Sequence, residues 1–361
     1  MKIVTVVGAR PQFVKAAAVS RAIRDAKAPA ISEVLVHTGQ HHDHNMSDVF
    51  FRDLEIPDPD YRLDISGGSH GEMTGRMIIA LEPILVAERP DQLLVYGDTN
   101  STLAAVIAAS KLCIPIAHVE AGVRSFRLTM PEEVNRVVTD RLSSLLFCPT
   151  ETAVRNLKTE GKVTGVHNVG DVMFDIVKRL SGQTSPCSKL VAAMNLQAEQ
   201  YALATCHRAE NTDNREILSG ILKAFGRIAA LLPVVMPLHP RSRQRIIDFG
   251  LEAMLRNIRI VEPLPFPDML ALEQGARVIL TDSGGVQKEA FFLQTPCVTL
   301  REETEWPETL KFGRNRLAGT NDEEIFTAFA EARLLPRVPP PTTNPFGSGD
   351  ASSAIVSLMT A

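Results

Sequence analysis

The chain has 361 residues, more than a single hydrophobic core usually serves, so we expect two domains of ordinary size. Hydrophobic residues make up 45% of it, charged residues 22%, and the formal net charge is -4, which gives no excess of basic residues for binding nucleic acid. The apolar run at 3–7 is only strand-length, so we expect no signal sequence, no membrane association and a cytoplasmic location.

The first half of the chain alternates short apolar runs with longer helical patterns. The runs predict strands at 3–7, 33–36, 92–96, 116–119 and 145–148, and helical patterns lie between them at 14–26, 73–88 and 101–111. The runs are almost continuously apolar, which is typical of parallel strands covered by helices on both faces. This half is therefore predicted to be a doubly wound sheet.

The same alternation of apolar runs and helical patterns begins again after a stretch at 181–189 that is rich in Ser, Pro and Gly. Further strands are predicted at 201–205, 234–238, 258–261, 278–280 and 297–300. The predicted fold class is α/β, with two Rossmann-like doubly wound domains facing across a cleft. We expect an N-terminal domain at 1–172, a C-terminal domain at 173–350, and a final helix at 351–361 that packs back on the N-terminal domain.

The first predicted strand ends in a glycine turn that is followed by two cations. Gly8 opens the turn, and Arg10 and Lys15 follow it at the predicted mouth of the cleft. This arrangement suits a phosphate group. A single glycine is not the GxGxxG pattern of dinucleotide-binding proteins, so we expect no NAD and no other cofactor.

Carboxylates follow the next strands. Asp98 and Glu120 come directly after neighbouring predicted strands, and Glu132 lies in the first turn of a predicted helix. Acids beside buried strands must be paired or functional, so we predict that these three converge on the cleft. The structural alternative is an ion pair with Arg124 or Arg136.

Two strands of the second half end in histidine and arginine. His207 and Arg208 can bind a pyrophosphate, and His207 can lend it a proton, whereas His239 is more typical of a structural histidine. Another strand leads into Ser283, Gly284 and Gly285 at a predicted helix start. This turn predicts a phosphate cradle, with Glu289 one helical turn further on, in reach of ribose hydroxyls.

A histidine-rich segment at 37–44 raises the question of a metal site. It contains four histidines and Asp43, but His41 and His42 are adjacent and would point apart on a strand, and no pair has the HExxH spacing. We predict no metal, and interpret this segment as a polar loop that frames the site.

These motifs together resemble those of the non-hydrolysing UDP-N-acetylglucosamine 2-epimerases. The resemblance spans nearly the whole chain and rests on six motifs in order, at 8–11, 97–99, 118–122, 131–133, 207–210 and 281–289. It implies a fold like that of GT-B glycosyltransferases, a homodimer, UDP held mainly by the second domain, and inversion at C2 of a UDP-linked 2-acetamido sugar. The residues assigned to catalysis are Asp98, Glu120, Glu132 and His207. The residues assigned to substrate and UDP binding are Arg10, Lys15, His41, Arg136, Arg208, His239, Met269, Ser283, Gly284, Gly285 and Glu289.

Some positions depart from the commonest pattern of the family. Ala9 and Gln12 replace the usual Thr and Glu, and Ala209 replaces an Arg. The segment 66–72 lacks the Arg-Gln pair with which some members bind an activating second UDP-sugar. The first motif and this segment are similar to those of the subgroup that acts on UDP-2,3-diacetamido-2,3-dideoxyglucuronate, so this substrate is an alternative. A GT-B glycosyltransferase, a nucleotide-sugar sensor and a hydrolysing epimerase are further alternatives.

Overall fold

The computed structural model describes residues 1–26, 31–40, 54–182, 189–311, 314–337 and 343–361. The chain divides into two compact units. The first unit is Met1–Ile176 together with Thr343–Ala361, and the second unit is Val177–Thr342. No helix in these described ranges is long and apolar enough to cross a membrane.

The first unit is built on a seven-stranded sheet in which every paired strand is parallel. Its order, β3-β2-β1-β4-β5-β6-β7, turns back at β1, as a doubly wound sheet does. The strands are β1 Lys2–Val7, β2 Ser32–His37, β3 Tyr61–Arg62, β4 Gln92–Tyr96, β5 Ile116–Val119, β6 Leu145–Cys148 and β7 Val166–Asn168.

Helices connect these strands, and most begin at a polar cap or a proline. Thr99 and Thr150 accept backbone hydrogen bonds at the starts of their helices, and Pro131 opens another. The helices are α1 Arg10–Asp25, α2 His70–Glu88, α3 Asn100–Lys111, α4 Pro131–Leu142, α5 Glu151–Thr159 and α6 Val172–Ser181. The chain passes from the first unit to the second within α6.

The C-terminal segment completes the first unit. Helix α14, Ala351–Met359, packs against α1. Its first turn is held by Asp175, which accepts hydrogen bonds from the backbone N–H groups of Ala351 and Ser352. A carboxylate at a helix start satisfies N–H groups that have no partner inside the helix.

The second unit repeats the design with a six-stranded parallel sheet in the order β10-β9-β8-β11-β12-β13. Its strands are β8 Ala202–Thr205, β9 Val234–Pro237, β10 Arg259–Val261, β11 Val278–Thr281, β12 Cys297–Thr299 and β13 Asn315–Leu317. Its helices are α7 Lys189–Ala193, α8 Ala209–Thr212, α9 Arg215–Ala229, α10 Pro240–Asp248, α11 Phe266–Gly275, α12 Gly284–Phe292 and α13 Asp322–Ala332.

The core of the second unit lies between this sheet and its helices. Helix α9 contributes Leu218, Ile221, Leu222 and Phe225, which are fully buried against strands of the sheet and against Phe329 of α13. The spacing of these positions puts them on one face of the helix. Their burial anchors α9 on the sheet.

Candidate active site

Three strand ends of the first unit meet at one edge of its sheet. β1 pairs with β4, and β4 pairs with β5, all in parallel, so the turns after these strands are neighbours. Gly8 follows β1, Gly97 and Asp98 follow β4, and Glu120 follows β5. The predicted meeting of Asp98 and Glu120 at one sheet edge is therefore seen within this unit.

The turn after β1 is closed by Gln12. Its side-chain oxygen accepts hydrogen bonds from the backbone N–H groups of Gly8 and Ala9, at 2.8 and 3.1 Å. Its amide nitrogen donates to the carbonyl of Tyr96 and to the hydroxyl of Thr102, both at 2.9 Å. An amide both donates and accepts, whereas an ionised Glu only accepts, so Gln12 connects this turn to the end of β4.

Gly8 allows a close approach at the same turn. A Cβ atom there would lie 2.1 Å from both the Ser101 and the Thr38 hydroxyl oxygens, which themselves share a 2.8 Å hydrogen bond. Only glycine fits this position without a shift of its neighbours. Arg10, the first residue of α1, is half-buried beside this turn.

Asp98 is held at two points. Its carboxylate forms an ion pair with Arg136, with 2.6 Å between Oδ2 and Nη1, and its carbonyl accepts from the Asn135 side chain at 2.8 Å. The side chain is 29% exposed. Burial raises the pKa of Asp98 above its ordinary value, against the opposing effect of Arg136 and Lys15. The structural alternative, an ion pair with Arg136, is thus present, at a carboxyl whose pKa is raised by burial.

Glu120 forms an ion pair with Lys15. The distance between Lys15 Nζ and Glu120 Oε1 is 2.6 Å, and the two side chains are only 7% and 10% exposed. Glu120 also has a φ of +74°, in the left-handed region that is costly for a non-glycine residue. Such backbone strain is typical of functional sites.

The two acids in the first turn of α4 behave differently. Glu133 is buried and accepts hydrogen bonds from the backbone N–H groups of Ser125 and Phe126, and it pairs with Arg136. Burial acts to raise the pKa of Glu133, but these hydrogen bonds and Arg136 hold it below its ordinary value. Glu132 is exposed. Glu133 therefore anchors a loop, and Glu132 is the acid that solvent reaches.

A second polar network lies behind these acids. His118 is completely buried, and its two ring nitrogens contact Asp140 and the Gly97 carbonyl, at 2.7 and 2.8 Å. Asp140 also pairs with Arg124, at 2.7 Å, and Arg124 pairs with Glu160. Arg124 is thus engaged away from Asp98 and Glu120.

In the second unit, one buried carboxylate organises the end of β8. Asp282 is fully buried and accepts hydrogen bonds from the backbone N–H groups of His207 and Arg208, each at 2.9 Å, and from the Asn211 side chain at 3.2 Å. The His207 side chain is 45% exposed, and its Nδ1 lies 3.6 Å from Asp282. β8 pairs with β11, which brings the His207 and Ser283 turns to one edge of this sheet.

The Ser-Gly-Gly turn is a helix start, as predicted. Helix α12 begins at Gly284, and the Ser283 hydroxyl accepts a hydrogen bond from the Val286 N–H. A Cβ atom on Gly284 would lie 3.1 Å from the Trp306 ring nitrogen, and one on Gly285 would make only ordinary contacts. The first N–H groups of a helix attract anions, and the missing side chains keep them accessible.

Arg208 is positioned by an acid that the sequence reasoning did not identify. The Glu305 carboxylate accepts a hydrogen bond from Arg208 at 3.1 Å and two from Arg301, at 2.7 and 3.0 Å. Burial acts to raise the pKa of Glu305, but Arg301 and Arg208 lower it to about 2. The carboxylate therefore stays ionised and holds Arg208 in a defined place.

The remaining assigned residues lie in several environments. Glu289 is buried on α12, and Met269 on α11 is buried in a hydrophobic cluster. His239 caps the start of α10 by accepting from the Arg241 N–H at 3.2 Å, a structural role. His41 lies outside the described residues. In the ranges that the structure describes, no group of His, Cys, Asp and Glu side chains could hold a metal ion.

Residues 23–360 match the protein family described as UDP-N-acetylglucosamine 2-epimerase. The chain belongs to this family. It is 47% identical to UDP-2,3-diacetamido-2,3-dideoxy-D-glucuronate 2-epimerase from Pseudomonas aeruginosa, over 99% of both chains. It is 42% identical to a UDP-N-acetylglucosamine 2-epimerase from Methanococcus maripaludis, over 99% of this chain and 98% of the relative.

Solved structures of the family have the same fold. The crystal structure of the Methanocaldococcus jannaschii UDP-GlcNAc 2-epimerase in complex with UDP-GlcNAc and UDP matches with a TM-score of 0.92 and 41% identity, over 100% of this chain and 99% of the other. The Neisseria meningitidis enzyme bound to UDP-GlcNAc matches with a TM-score of 0.89 and 31% identity, over 100% of both chains. The predicted family and the α/β fold with two Rossmann-like domains of the GT-B-like type are confirmed.

Proposed function

We propose that this member of the family is a non-hydrolysing epimerase that inverts C2 of a UDP-linked 2-acetamido sugar, of the UDP-GlcNAc to UDP-ManNAc type. The observation that carries the proposal is the pair of carboxylates Asp98 and Glu120, each with its own cation, at one sheet edge. Family membership supports the substrate class. Neither NAD nor a metal ion is part of the proposal.

The first step is the departure of UDP. The C2 hydrogen is not next to a carbonyl group, so it becomes acidic only as the bond between C1 and the diphosphate oxygen breaks. In our proposal Arg10, His207 and the N–H groups near Ser283 and Gly284 stabilise the departing diphosphate. Arg208, fixed by Glu305, adds positive charge.

The second step is proton transfer at C2. A base removes the C2 hydrogen as UDP leaves, which gives a 2-acetamidoglucal with a double bond between C1 and C2. An acid then protonates C2 from the opposite face, and a diphosphate oxygen adds back to C1 to restore the bond to UDP. Because its pKa is raised, Asp98 is suited to donate a proton, and Glu120, paired with Lys15, is suited to accept one. Glu132 is the third carboxylate that we assign to proton transfer and stabilisation of positive charge at C1.

Two UDP-sugars are candidate substrates, and they differ in the groups that the sugar ring carries. UDP-N-acetylglucosamine is supported by the M. maripaludis and M. jannaschii relatives, and the diacetamido-glucuronate is supported by the P. aeruginosa relative at 47% identity. The absence of an Arg-Gln pair at 66–72 supports a reaction that needs no second UDP-sugar as activator.

The test is NMR of the purified protein in deuterated water, with each UDP-sugar supplied separately and no acceptor. We expect the C2 epimer of one substrate, with deuterium at C2 of the product. Retention of the original hydrogen would contradict proton exchange through these acids. Release of UDP with a free sugar would identify a hydrolysing enzyme, and no change without an acceptor would favour the glycosyltransferase alternative.

A homodimer is also part of this proposal. A groove of about 370 Å³ between α2, α3 and α4 is lined by polar residues, glycines and four apolar side chains, among them Ile78, Leu103 and Val134. We propose that a second copy of the chain packs against this surface. We expect light scattering to give twice the mass of the chain, and Val134→Asp to lower it. Leu231→Asp, an exposed position in the second unit, is the control.

We propose a cytoplasmic location as well. Four of the five cysteines lie in described residues, and all four are free thiols, as is usual in a reducing compartment. Cell fractionation tests this location, and recovery of the protein from a periplasmic or extracellular fraction would contradict it.

A further inference from the structure

A buried histidine reaches the turn that carries Asp98. His118 lies in β5 and has no solvent exposure. Its Nε2 is 2.8 Å from the carbonyl oxygen of Gly97, the residue before Asp98. A carbonyl oxygen can only accept a hydrogen bond, so Nε2 carries the hydrogen.

Asp140 continues the connection to the turn that carries Glu120. Its Oδ1 contacts His118 Nδ1 at 2.7 Å, and its Oδ2 accepts from the backbone N–H of Gly122 at 3.0 Å. Burial acts to raise the pKa of Asp140, but His118 and Arg124 hold it below its ordinary value. Asp140 therefore bridges the His118 ring and the backbone of Gly122.

Gly97 links His118 to the acids, because it accepts the His118 hydrogen bond and directly precedes Asp98. It has a φ of +59°, and its N–H donates to the Val119 carbonyl at 2.9 Å, so both of its polar backbone groups are bound to β5. A Cβ atom on Gly97 would lie 3.1 Å from Lys15 Nζ and 3.6 Å from Glu120 Oε1. A small shift of this residue would thus move Asp98 and disturb the Lys15–Glu120 pair.

We propose that His118 is a positioning residue for the epimerase reaction, and that it acts by fixing the turns after β4 and β5 on which Asp98 and Glu120 stand. The hydrogen bond to Gly97 sets the first turn, and Asp140, bound to both His118 and Gly122, sets the second. Misplacement of a catalytic group by about 1 Å can cost about 10²-fold in rate. The inference rests on the proposed function and does not require His118 to touch the substrate.

Two isosteric substitutions separate the contacts of His118. Glutamine places an amide N–H near the position of Nε2 and keeps the bond to Gly97, whereas asparagine places one near Nδ1 and loses that bond. We expect His118→Asn to lower kcat with UDP-GlcNAc, or with the diacetamido-glucuronate if that is the substrate, by about 10²-fold. His118→Gln should stay at least about tenfold more active, and the Kd for UDP should change less than about twofold in both variants.

The matched controls are His167→Gln and His167→Asn, because His167 lies in β7 next to Phe147 and away from the acids. These controls should keep the kcat of the wild-type protein. Equal losses of kcat in the two His118 variants, in proportion to their losses of Tm, would show a merely structural role and overturn the proposal. Wild-type activity in both would overturn it as well.

A measurement on the wild-type protein covers the case in which a variant fails to fold. NMR with ¹⁵N-labelled histidine and ¹³C-labelled glycine should show a His118 Nε2–H that is protected from exchange and coupled to the Gly97 carbonyl carbon. Absence of that coupling overturns the inference. The wild-type conversion of the UDP-sugars is measured first, so a failure of the proposed function is seen separately from a failure of the hydrogen bond.

Discussion

The two units hold their polar strand ends in different ways. In the first unit, acids and cations pair through their side chains, as Asp98 does with Arg136 and Glu120 with Lys15. In the second unit, the fully buried carboxylate of Asp282 accepts backbone N–H groups and so shapes a turn.

This difference matches the chemistry that we propose for each unit. Proton transfer at C2 requires several carboxylates close together. Pairing each with a cation avoids the cost of a buried, unpaired charge. A turn fixed through its backbone leaves side chains available for a ligand, and the His207 side chain is 45% exposed. The first unit is therefore suited to move protons and the second to bind an anion.

The largest expected effect comes from removing one side of a buried pair in the first unit. Lys15→Met removes the lysine that pairs with the buried Glu120, and we expect unfolding in urea to show a loss of about 3–5 kcal/mol. Adding Glu120→Gln to this variant should restore part of the loss, as a double-mutant cycle would show.

The control for this prediction is Lys2→Met, which removes a partly exposed lysine paired with Glu88. It should cost less than about 1 kcal/mol. A similar cost for Lys2 and Lys15 would contradict the view that the first unit depends on buried pairs.

In the second unit, the pair that most resembles those of the first is Glu305 with Arg301 and Arg208. The pKa of Glu305 in the folded chain is about 2, below its ordinary value of 4.5. A lowered pKa stabilises the fold above pH 4.5, and this contribution, about 3 kcal/mol, is lost as the pH falls toward 2. We expect Glu305→Gln to be less stable than the wild type at pH 7, with a difference that shrinks between about pH 5 and pH 2.

Urea unfolding at a series of pH values measures this difference. Glu302→Gln, an exposed acid three residues earlier, is the control and should follow the wild type at every pH. A difference between Glu305→Gln and the wild type that does not change with pH would show that the carboxylate charge is not what stabilises this network.

The sequence predicted most strands of the two sheets, because the inner strands are continuously apolar. The predicted run at 92–96 coincides with β4, and the run at 116–119 with β5. The edge strands β3, β7 and β13 were not predicted, since they are only two or three residues long and partly exposed. Hydrophobic periodicity carries little information over so few residues.

For the site, the sequence indicated the acids at strand ends but only one of their partners. Arg136 was considered as a partner for Asp98, whereas Lys15 was interpreted as a phosphate ligand and is paired with Glu120. His118, Asp140 and Glu305 were not assigned, because their roles depend on contacts between residues 4 to 97 positions apart. The position of Asp282 directly after β11 was the signal that could have revealed its contact with the His207 turn.

Removal of the Asp98 carboxylate in the first unit should affect the reaction more than the fold. We expect Asp98→Asn to lower kcat by about 10²-fold, equivalent to about 2.7 kcal/mol, because an amide cannot donate or accept the C2 proton. The Kd for UDP, measured by calorimetry, should stay measurable. Asp91→Asn, before β4, is the control with normal kcat expected. Normal turnover of Asp98→Asn would place the chemistry elsewhere.

The smallest effect is expected at the turn in the second unit. Asp282→Asn replaces an acceptor-only carboxylate by an amide, whose NH₂ group would face the N–H groups of His207, Arg208 or Asn211. We expect a loss of about 2 kcal/mol in unfolding free energy and a Kd for UDP that rises about tenfold, because the displaced turn carries His207 and Arg208. Asp248→Asn, an exposed acid at the end of α10, should change stability by less than about 0.5 kcal/mol. If Asp282→Asn lost stability but kept the wild-type affinity for UDP, the turn would be a fold element alone, and the anion site of the second unit would have to rest on the Ser283 helix start.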